Sequence, residues 1–226
     1  MSKILVIAES GFGKTTSLMA NEEYGIEGLN PEESYIISTT SKPLPGRGSN
    51  KLYPATQDVS VDTVIEHLKP FRRVITNNGL VVARIISLLG MSPYKNIVLD
   101  DSNYIMQDYY MEKALTNGWD TPKKIGYDFG KIFQAIEHLP IDKNFIMFAH
   151  GEEYDKADGR KGYRLKTTGK MVQEYITPEG KFDVVLIGKS GFDESTKTVK
   201  KEFVTNDDGV YSTAKSHGIF DSLYIK

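Results

Sequence analysis

The sequence contains no cysteine among its 226 residues. This absence excludes disulfide bonds, thiol catalysis and cysteine-ligated zinc, and it is typical of proteins in a reducing compartment. The sequence also lacks an apolar run near the roughly 20 residues that span a bilayer. The apolar residues 4–8 are too few for a secretory signal and indicate a buried strand instead. We therefore expect a cytoplasmic protein that makes no membrane contact.

Neither sign of charge dominates the sequence. It has 28 Lys and Arg residues against 30 Asp and Glu residues, which gives a net charge of -2 at pH 7. Such a balance provides no bulk attraction to nucleic acid, so any binding of a polyanion has to come from local basic clusters. The hydrophobic fraction of 39% is that of a globular protein, and the length fits one domain over residues 1–226.

Short apolar runs alternate with longer stretches of helical periodicity. The runs are residues 4–8, 35–38, 97–99, 145–149 and 184–187. Helices are predicted over residues 15–23, 61–68, 79–89, 104–116 and 128–139. This alternation predicts an α/β fold with a mainly parallel sheet and helices on both of its faces.

The chain changes character after residue 187. Residues 198–204 and 209–213 flank the segment Asn206-Asp207-Asp208-Gly209, whose Asp-Gly step is a hairpin signal. An antiparallel hairpin is therefore predicted to close the fold. Residues 41–54 and 151–169 are rich in glycine, proline or charge, and we predict them to be long irregular loops.

One segment carries a phosphate-binding pattern. Ala8 and four further residues precede Gly13-Lys14-Thr15, between a predicted strand and a predicted helix. Glycines at positions 11 and 13 allow backbone N–H groups to surround a phosphate, and Lys14 would contact the β- and γ-phosphates. Thr15 would offer its hydroxyl to Mg²⁺, and Thr16 would contact the α-phosphate. The predicted ligands of ATP are Ser10, Gly11, Phe12, Gly13, Lys14, Thr15 and Thr16.

Two acids follow the apolar run that ends at Leu99. Strand ends carry ligand sites in α/β folds, and we predict that Asp100 holds Mg²⁺ while Asp101 polarises an attacking water as a general base. These two roles could be exchanged. The alternative is that either acid caps the helix predicted to follow.

A histidine ends a further predicted strand. His150 follows residues 145–149 and would sense the γ-phosphate from the same edge of the sheet. The alternative is a structural histidine that is held by hydrogen bonds. His67, His138 and His217 show no metal-ligand spacing.

A basic segment is the candidate nucleic-acid contact. Its cations surround Tyr163, whose ring could stack on a base. The cations are Arg160, Lys161, Arg164, Lys166 and Lys170. The alternative is a solvated charged loop. A second, smaller basic patch consists of Lys42, Arg47 and Lys51.

With these motifs the chain resembles the RecA-like P-loop ATPases of phages, in particular the small Sak-type group associated with single-strand annealing and recombination. The resemblance rests on residues 8–15, Leu99-Asp100-Asp101-Ser102, the strand before His150 and the closing residues 203–215. It implies a RecA-like P-loop NTPase core and ATP-dependent action on single-stranded DNA. The separate DNA-binding loops of full recombinases are not identifiable, so strand exchange is not expected.

The same resemblance implies where the protein works and with what. It implies a phage protein in the host cytoplasm, homo-oligomers with the nucleotide between subunits, and partners among single-strand-binding or replication proteins. In such an oligomer Lys215, or an arginine of residues 160–164, would reach the γ-phosphate of a neighbour.

Two other functions fit the phosphate-binding pattern. One is a kinase of nucleosides or nucleotides, with residues 151–170 as a lid over the phosphates. The other is a nucleotide-gated scaffold with little turnover. The paired acids favour water activation over a kinase reaction. The sequence has no Asn-Lys-x-Asp segment for reading guanine, which disfavours a GTPase.

Overall fold

A computed structural model describes residues 2–115 and 120–225. The strands are β1 (Lys3–Ile7), β2 (Ser34–Ser38), β3 (Ala55–Thr56), β4 (Arg73–Ile75), β5 (Asn96–Asp100), β6 (Asn144–Ala149), β7 (Gly151–Asp155), β8 (Lys161–Leu165), β9 (Val184–Asp193), β10 (Thr198–Val204) and β11 (Tyr224–Ile225). The helices are α1 (Ser49–Leu52), α2 (Val64–Leu68), α3 (Gly79–Leu89), α4 (Asn103–Lys113), α5 (Asp120–Glu137) and α6 (Met171–Tyr175). Short 3-10 turns occupy Thr16–Leu18, Glu22–Tyr24, Pro31–Glu33 and Pro178–Lys181.

The main sheet of the described chain has nine strands in the order β11-β10-β9-β1-β6-β5-β2-β4-β3. Every neighbouring pair from β9 to β3 is parallel, whereas β10 and β11 are antiparallel additions at one edge. The predicted α/β class with a mainly parallel sheet and a C-terminal antiparallel hairpin is confirmed. Each predicted apolar run lies in a strand except for Ala8, which directly follows β1, because a parallel sheet buries both faces and needs continuous apolar residues.

Different parts of the chain pack against the two faces of the sheet. The side chains of alternating residues such as Leu5, Ile37 and Leu99 join a large core under α3 and α5. Val6 and Ile36 point to the other face, where they pack with residues of short turns and connecting segments. Both faces are therefore covered, but the long helices lie on one of them.

The two long helices of the core pack closely against each other. Asn78 caps α3 by accepting hydrogen bonds from the N–H groups of Leu80 and Val81, at 3.1 and 3.3 Å. A methyl group on Gly79 would lie 3.0 Å from Cβ of Asp128 in α5. Glycine at this position thus allows the close approach of α3 to α5.

Helices α3 and α4 occupy their predicted places, with small shifts at their ends. Helix α5 begins at Asp120, earlier than the predicted residue 128, because its proline lies in the first turn, where proline is tolerated. Helix α2 is shorter than predicted and begins at Val64. The predicted end of the fourth helix, Thr116, lies outside the described residues.

The helix predicted over residues 15–23 is wrong. The structure has a single 3-10 turn at Thr16–Leu18 and a second at Glu22–Tyr24. The hydroxyl of Ser17 donates to the Lys14 carbonyl at 2.6 Å, and the Asn21 side chain accepts from the Glu23 N–H. Such short side chains compete with helical hydrogen bonds, and here they break the helix into turns.

The predicted hairpin turn at residues 206–209 is also wrong. The hairpin forms between β9 and β10, and its turn follows Asp193, whose carboxylate accepts from the N–H groups of Ser195 and Thr196. Asp207 and Asp208 instead accept from nearby N–H groups and hold residues 209–213 in a loop. Asp and Asn favour such local turns as readily as hairpin turns, so the pattern did not decide between them.

Residues 151–169 are not an irregular loop. Strands β7 and β8 form an antiparallel hairpin there, and Leu165 at its end is fully buried. The other predicted loop, residues 41–54, is irregular except for α1. No helix in residues 2–115 and 120–225 is long and apolar enough to cross a membrane.

The packing of α5 leads to a stability prediction. Phe129 is fully buried and packs edge-on against Phe133, with 5.3 Å between ring centroids. Phe129→Ala should lower the free energy of unfolding by about 3–5 kcal/mol, because it leaves a cavity. Tyr127→Ala, on the exposed face of the same helix, should change it by less than about 0.5 kcal/mol. Equal effects in urea titrations would contradict this packing.

Candidate functional site

Several strands of the sheet end at one cleft of about 280 Å³. Because parallel strands share a carboxyl edge, the segments after β1, β2, β5 and β6 meet there. The lining residues are Ser10, Gly11, Gly13, Lys14, Thr15, Thr16, Thr40, Lys42, Pro43, Leu44, Pro45, Arg73, Asp100, Asp101 and His150. The structure therefore brings the predicted phosphate loop, both acids and the histidine together.

The loop between β1 and Thr15 has a conformation that requires glycine. Gly11 and Gly13 have φ values of 77° and 110°, which L-amino acids rarely adopt. A methyl group at either position would meet no atom within 4 Å, so backbone conformation alone imposes glycine. The Ala8 N–H donates to the Ala149 carbonyl at 3.1 Å and ties the start of the loop to β6.

Lys14 is buried beneath the loop. Its Nζ donates to the carbonyls of Ala8 and Glu9 at 2.8 and 3.0 Å. Burial lowers the pKa of Lys14, while the nearby carboxylates of Asp101 and Asp100 favour its charged form. The ammonium thus lies at the floor of the cleft, where it is held by the backbone of the phosphate loop itself.

The ring of Phe12 faces away from the cleft. It packs edge-on against Phe203 of β10, with 5.0 Å between centroids. A methyl group on Gly188 of β9 would lie 2.6 Å from Cβ of Ala8 and 2.8 Å from the Phe12 ring. Phe12 does not line the cleft, and its backbone N–H donates to the Glu9 carbonyl at 3.3 Å. Of the predicted nucleotide ligands, Phe12 is thus the one whose side chain anchors the loop to the sheet instead.

Thr15 and Asp100 form a direct contact across the cleft. The Thr15 hydroxyl lies 3.0 and 3.1 Å from the two carboxylate oxygens of Asp100. Burial, and then the neighbouring Asp101 carboxylate, raise the pKa of Asp100 to about 6, against the opposing effects of Thr15, Lys14 and Arg73. A buried carboxylate with a raised pKa is a mark of many functional sites.

The donor atoms at this contact suit a hard cation. A hydroxyl and a carboxylate are oxygen ligands of the kind that Mg²⁺ prefers. No group of three or more His, Asp or Glu side chains in the described chain could hold a metal by itself. Mg²⁺ bound at Thr15 and Asp100 would consequently take its other ligands from phosphate and water, as it commonly does.

Asp101 adopts an uncommon backbone conformation. Its φ is 58°, and the Thr39 hydroxyl holds its carbonyl at 2.7 Å. Its Oδ1 lies 3.5 Å from Nε2 of His150. Left-handed conformations of non-glycine residues cluster at functional sites because the surroundings have to impose them.

His150 is fixed by its own neighbours. Its backbone N–H donates to the Asn103 side chain at 2.6 Å. Burial, followed by the charge of Lys14, lowers the pKa of His150, although Asp101 opposes this effect. The imidazole is therefore neutral at neutral pH and lies between the phosphate loop and the two acids.

The predicted alternative of helix capping has no support in the described residues. The N-cap of α4 is Ser102, whose hydroxyl donates to the Phe148 carbonyl. The Asp100 carboxylate accepts from Thr15, and the Asp101 carboxylate faces His150. Both acids are thus directed toward the cleft.

Arg73 is a site residue that the sequence interpretation missed. It is only 3% exposed, and its Nε donates to the Ser38 hydroxyl at 2.9 Å. Its Nη2 donates to the Lys42 carbonyl at 2.6 Å, and its charge favours the ionised form of Asp100. Lys42 also lines the cleft, with its Nζ 5.6 Å from the centroid of the Tyr104 ring. Arg73 thus holds the segment that forms one wall.

The predicted nucleic-acid segment is largely charge-compensated. Arg160 pairs with Asp158 at 2.7 Å, Lys161 with Asp155 at 2.6 Å, and Arg164 with Glu152 at 3.0 Å. The Tyr163 ring is half-buried and packs against Tyr211, with 5.5 Å between centroids. Lys166 and Lys170 are exposed.

The predicted trans-acting lysine lies outside the cleft of its own subunit. The backbone of Lys215 pairs with Val185 of β9 through two hydrogen bonds of 2.8 and 3.0 Å. Its predicted contact with a neighbouring subunit stays a prediction. The chain matches no protein-family model and no curated protein.

The contacts of Arg73 lead to a second stability prediction. Arg73→Met should lower the free energy of unfolding by about 1–3 kcal/mol, because buried acceptors lose their donor. Arg72→Met is the matched control, since Arg72 pairs with Glu32 at the surface, where such pairs contribute less than about 1 kcal/mol. Urea titrations that show the same loss for both variants would contradict a special role for Arg73.

Proposed function

We propose that this protein is an ATP-binding and ATP-hydrolysing P-loop protein with a RecA-like core. One observation carries the proposal. The glycine-dependent loop with Lys14, the contact of Thr15 with Asp100, and the pair of Asp101 and His150 all line one cleft. These groups match recurring parts of sites for phosphoryl transfer, namely a phosphate loop with its lysine, metal-holding oxygens and a group that orients the nucleophile.

The residues divide into binding and proton-handling groups. Lys14 would leave its loop carbonyls to contact the β- and γ-phosphates, and the loop N–H groups would hold the phosphate oxygens. Thr15 and Asp100 would hold Mg²⁺, which when bound neutralises charge on the phosphates. Asp101 would accept the proton of the attacking water. Neutral His150, in reach of Asp101, would respond to the γ-phosphate by a hydrogen bond.

This division predicts separate effects of two substitutions. Asp101→Asn should leave ATP binding within about threefold and lower turnover by at least about 100-fold, since positioned proton transfer contributes that much. Lys14→Ala should instead abolish detectable binding. Calorimetry with a non-hydrolysable analogue and a phosphate-release assay measure the two quantities. Normal turnover by Asp101→Asn would assign the base to another residue.

We further propose that single-stranded DNA is the polymer on which the ATPase acts. The resemblance in the motifs and the exposed Lys166 and Lys170 support this part of the proposal. Residues 151–170 carry six cations against four acids. DNA phosphates would have to compete with the acids that pair with Arg160, Lys161 and Arg164, so binding should be modest and sensitive to salt.

ATP turnover at low salt, with and without single-stranded DNA, tests this step. We expect DNA to stimulate turnover, and Lys166→Ala with Lys170→Ala to weaken the stimulation. Lys161→Ala should weaken it less, because Asp155 already compensates its charge. If DNA neither binds nor changes turnover, the ATPase proposal stands and the DNA proposal fails.

The kinase alternative is less well supported by the geometry. Its lid was expected in residues 151–170, but none of these residues lines the cleft. Leu165 and Tyr163 pack this hairpin into the body of the protein instead. The scaffold alternative predicts ATP binding with turnover near background, which the phosphate-release assay distinguishes.

A further inference from the structure

Lys201 touches the phosphate loop from outside the cleft. It lies on β10, and its Nζ donates to the carbonyls of Gly11 and Phe12 at 2.6 and 3.3 Å. The same ammonium lies 5.7 Å from the centroid of the Phe12 ring. A residue from the antiparallel hairpin, 190 positions along the chain, thus holds the centre of the loop.

Peptide geometry gives this contact a consequence for the cleft. A trans peptide is planar, so the carbonyl of one residue and the N–H of the next point in opposite directions. Lys201 holds the Phe12 carbonyl, and the Gly13 N–H therefore points away from Lys201. Gly13 lines the cleft and Lys201 does not. The contact thus favours an N–H group that is directed to the side where a phosphate would bind.

Other contacts restrain the two ends of the loop. Lys14 holds the carbonyls of Ala8 and Glu9. The Ser17 N–H donates to the Gly13 carbonyl at 2.9 Å, and the 3-10 turn Thr16–Leu18 follows.

Lys201 is the contact that reaches the middle of the loop from another part of the fold. Glycine at positions 11 and 13 raises the conformational entropy that is lost when the peptides between them become ordered. The Phe12 ring anchors one side chain, whereas Lys201 restrains the backbone carbonyls themselves.

We propose that Lys201 is a positioning residue that orders the phosphate loop by holding its backbone carbonyls. This inference rests on the proposed function, because it assumes that the loop receives a nucleoside triphosphate. Lys201 acts through the loop backbone, so its loss should weaken binding more than the chemical step.

The neighbouring lysine provides a matched control. Successive side chains of a strand point to opposite faces, and Lys200 pairs with Glu202 at 2.6 Å on the other face of β10. Lys200→Met and Lys201→Met remove the same charge from adjacent positions. Only the second variant removes the contacts with Gly11 and Phe12.

The test compares nucleotide binding and turnover of the full-length variants with Mg²⁺ and ATP or its non-hydrolysable analogue. Lys201→Met should raise Kd and KM by about tenfold, the effect of losing one charge-assisted hydrogen bond, and leave kcat within about twofold. Lys200→Met should leave all three within about twofold. Lys201→Arg should restore much of the affinity, because a guanidinium can donate to both carbonyls.

Hydrogen exchange of peptides covering residues 9–14, measured without nucleotide, reports on the loop directly. Faster exchange in Lys201→Met than in Lys200→Met supports the inference. If the wild type binds ATP and Lys201→Met changes neither the hydrogen exchange of residues 9–14 nor the affinity for ATP, the inference is wrong. Equal weakening by both variants also overturns it, since that result indicates only lost charge. If the wild-type protein binds no nucleotide, the proposed function is wrong, and the inference that rests on it is wrong as well.

Discussion

Burial of three charged side chains at one edge of the sheet is the constraint on which the cleft depends. Lys14, Arg73 and Asp100 are 5%, 3% and 6% exposed. An isolated buried charge is costly, and these three offset one another only while they stay together. Asp100 favours the charged forms of both cations, and both cations favour the ionised form of Asp100. Movement of one strand end would therefore weaken this compensation, although Asp101 also favours the charged form of Lys14.

The strand order of the parallel sheet brings these charged side chains together. Strand β6 lies between β1 and β5, so His150 is placed between the phosphate loop and the acids. Strand β4 lies beside β2, which lets Arg73 reach the Ser38 hydroxyl and the segment after it. Asp100 and His150 lie at the ends of strands whose apolar residues are mostly buried. The packing of the core thus fixes where these polar side chains lie, and the loops add a few further contacts to them.

The sequence predicts β1, β2, β5, β6 and β9 and the meeting of the motif residues at one cleft, because both depend on local pattern, whereas β3, β4, β7 and β8 were not predicted. A buried parallel strand has to be a continuous apolar run, and glycine is required at φ values that other residues avoid. The helix after the loop was predicted wrongly, since Ser17 and Asn21 make local hydrogen bonds that no apolar periodicity reveals. Arg73 and Lys201 were missed because their roles arise from strand order. Their partners lie 31 to 190 positions away in the chain.

The surface charge of a segment also depends on which strands pair, and the sequence alone does not show that pairing. A count of cations predicted a basic surface in residues 160–170, but antiparallel pairing of β7 with β8 sets Glu152 opposite Arg164 and Asp155 opposite Lys161. Cross-strand pairs of opposite charge stabilise a hairpin and compensate its potential at the same time. Any polyanion that binds there has to replace those acids. Exposed ion pairs and phosphate contacts both weaken as salt rises, so a change in salt would free these cations and weaken their contacts with a polyanion at the same time.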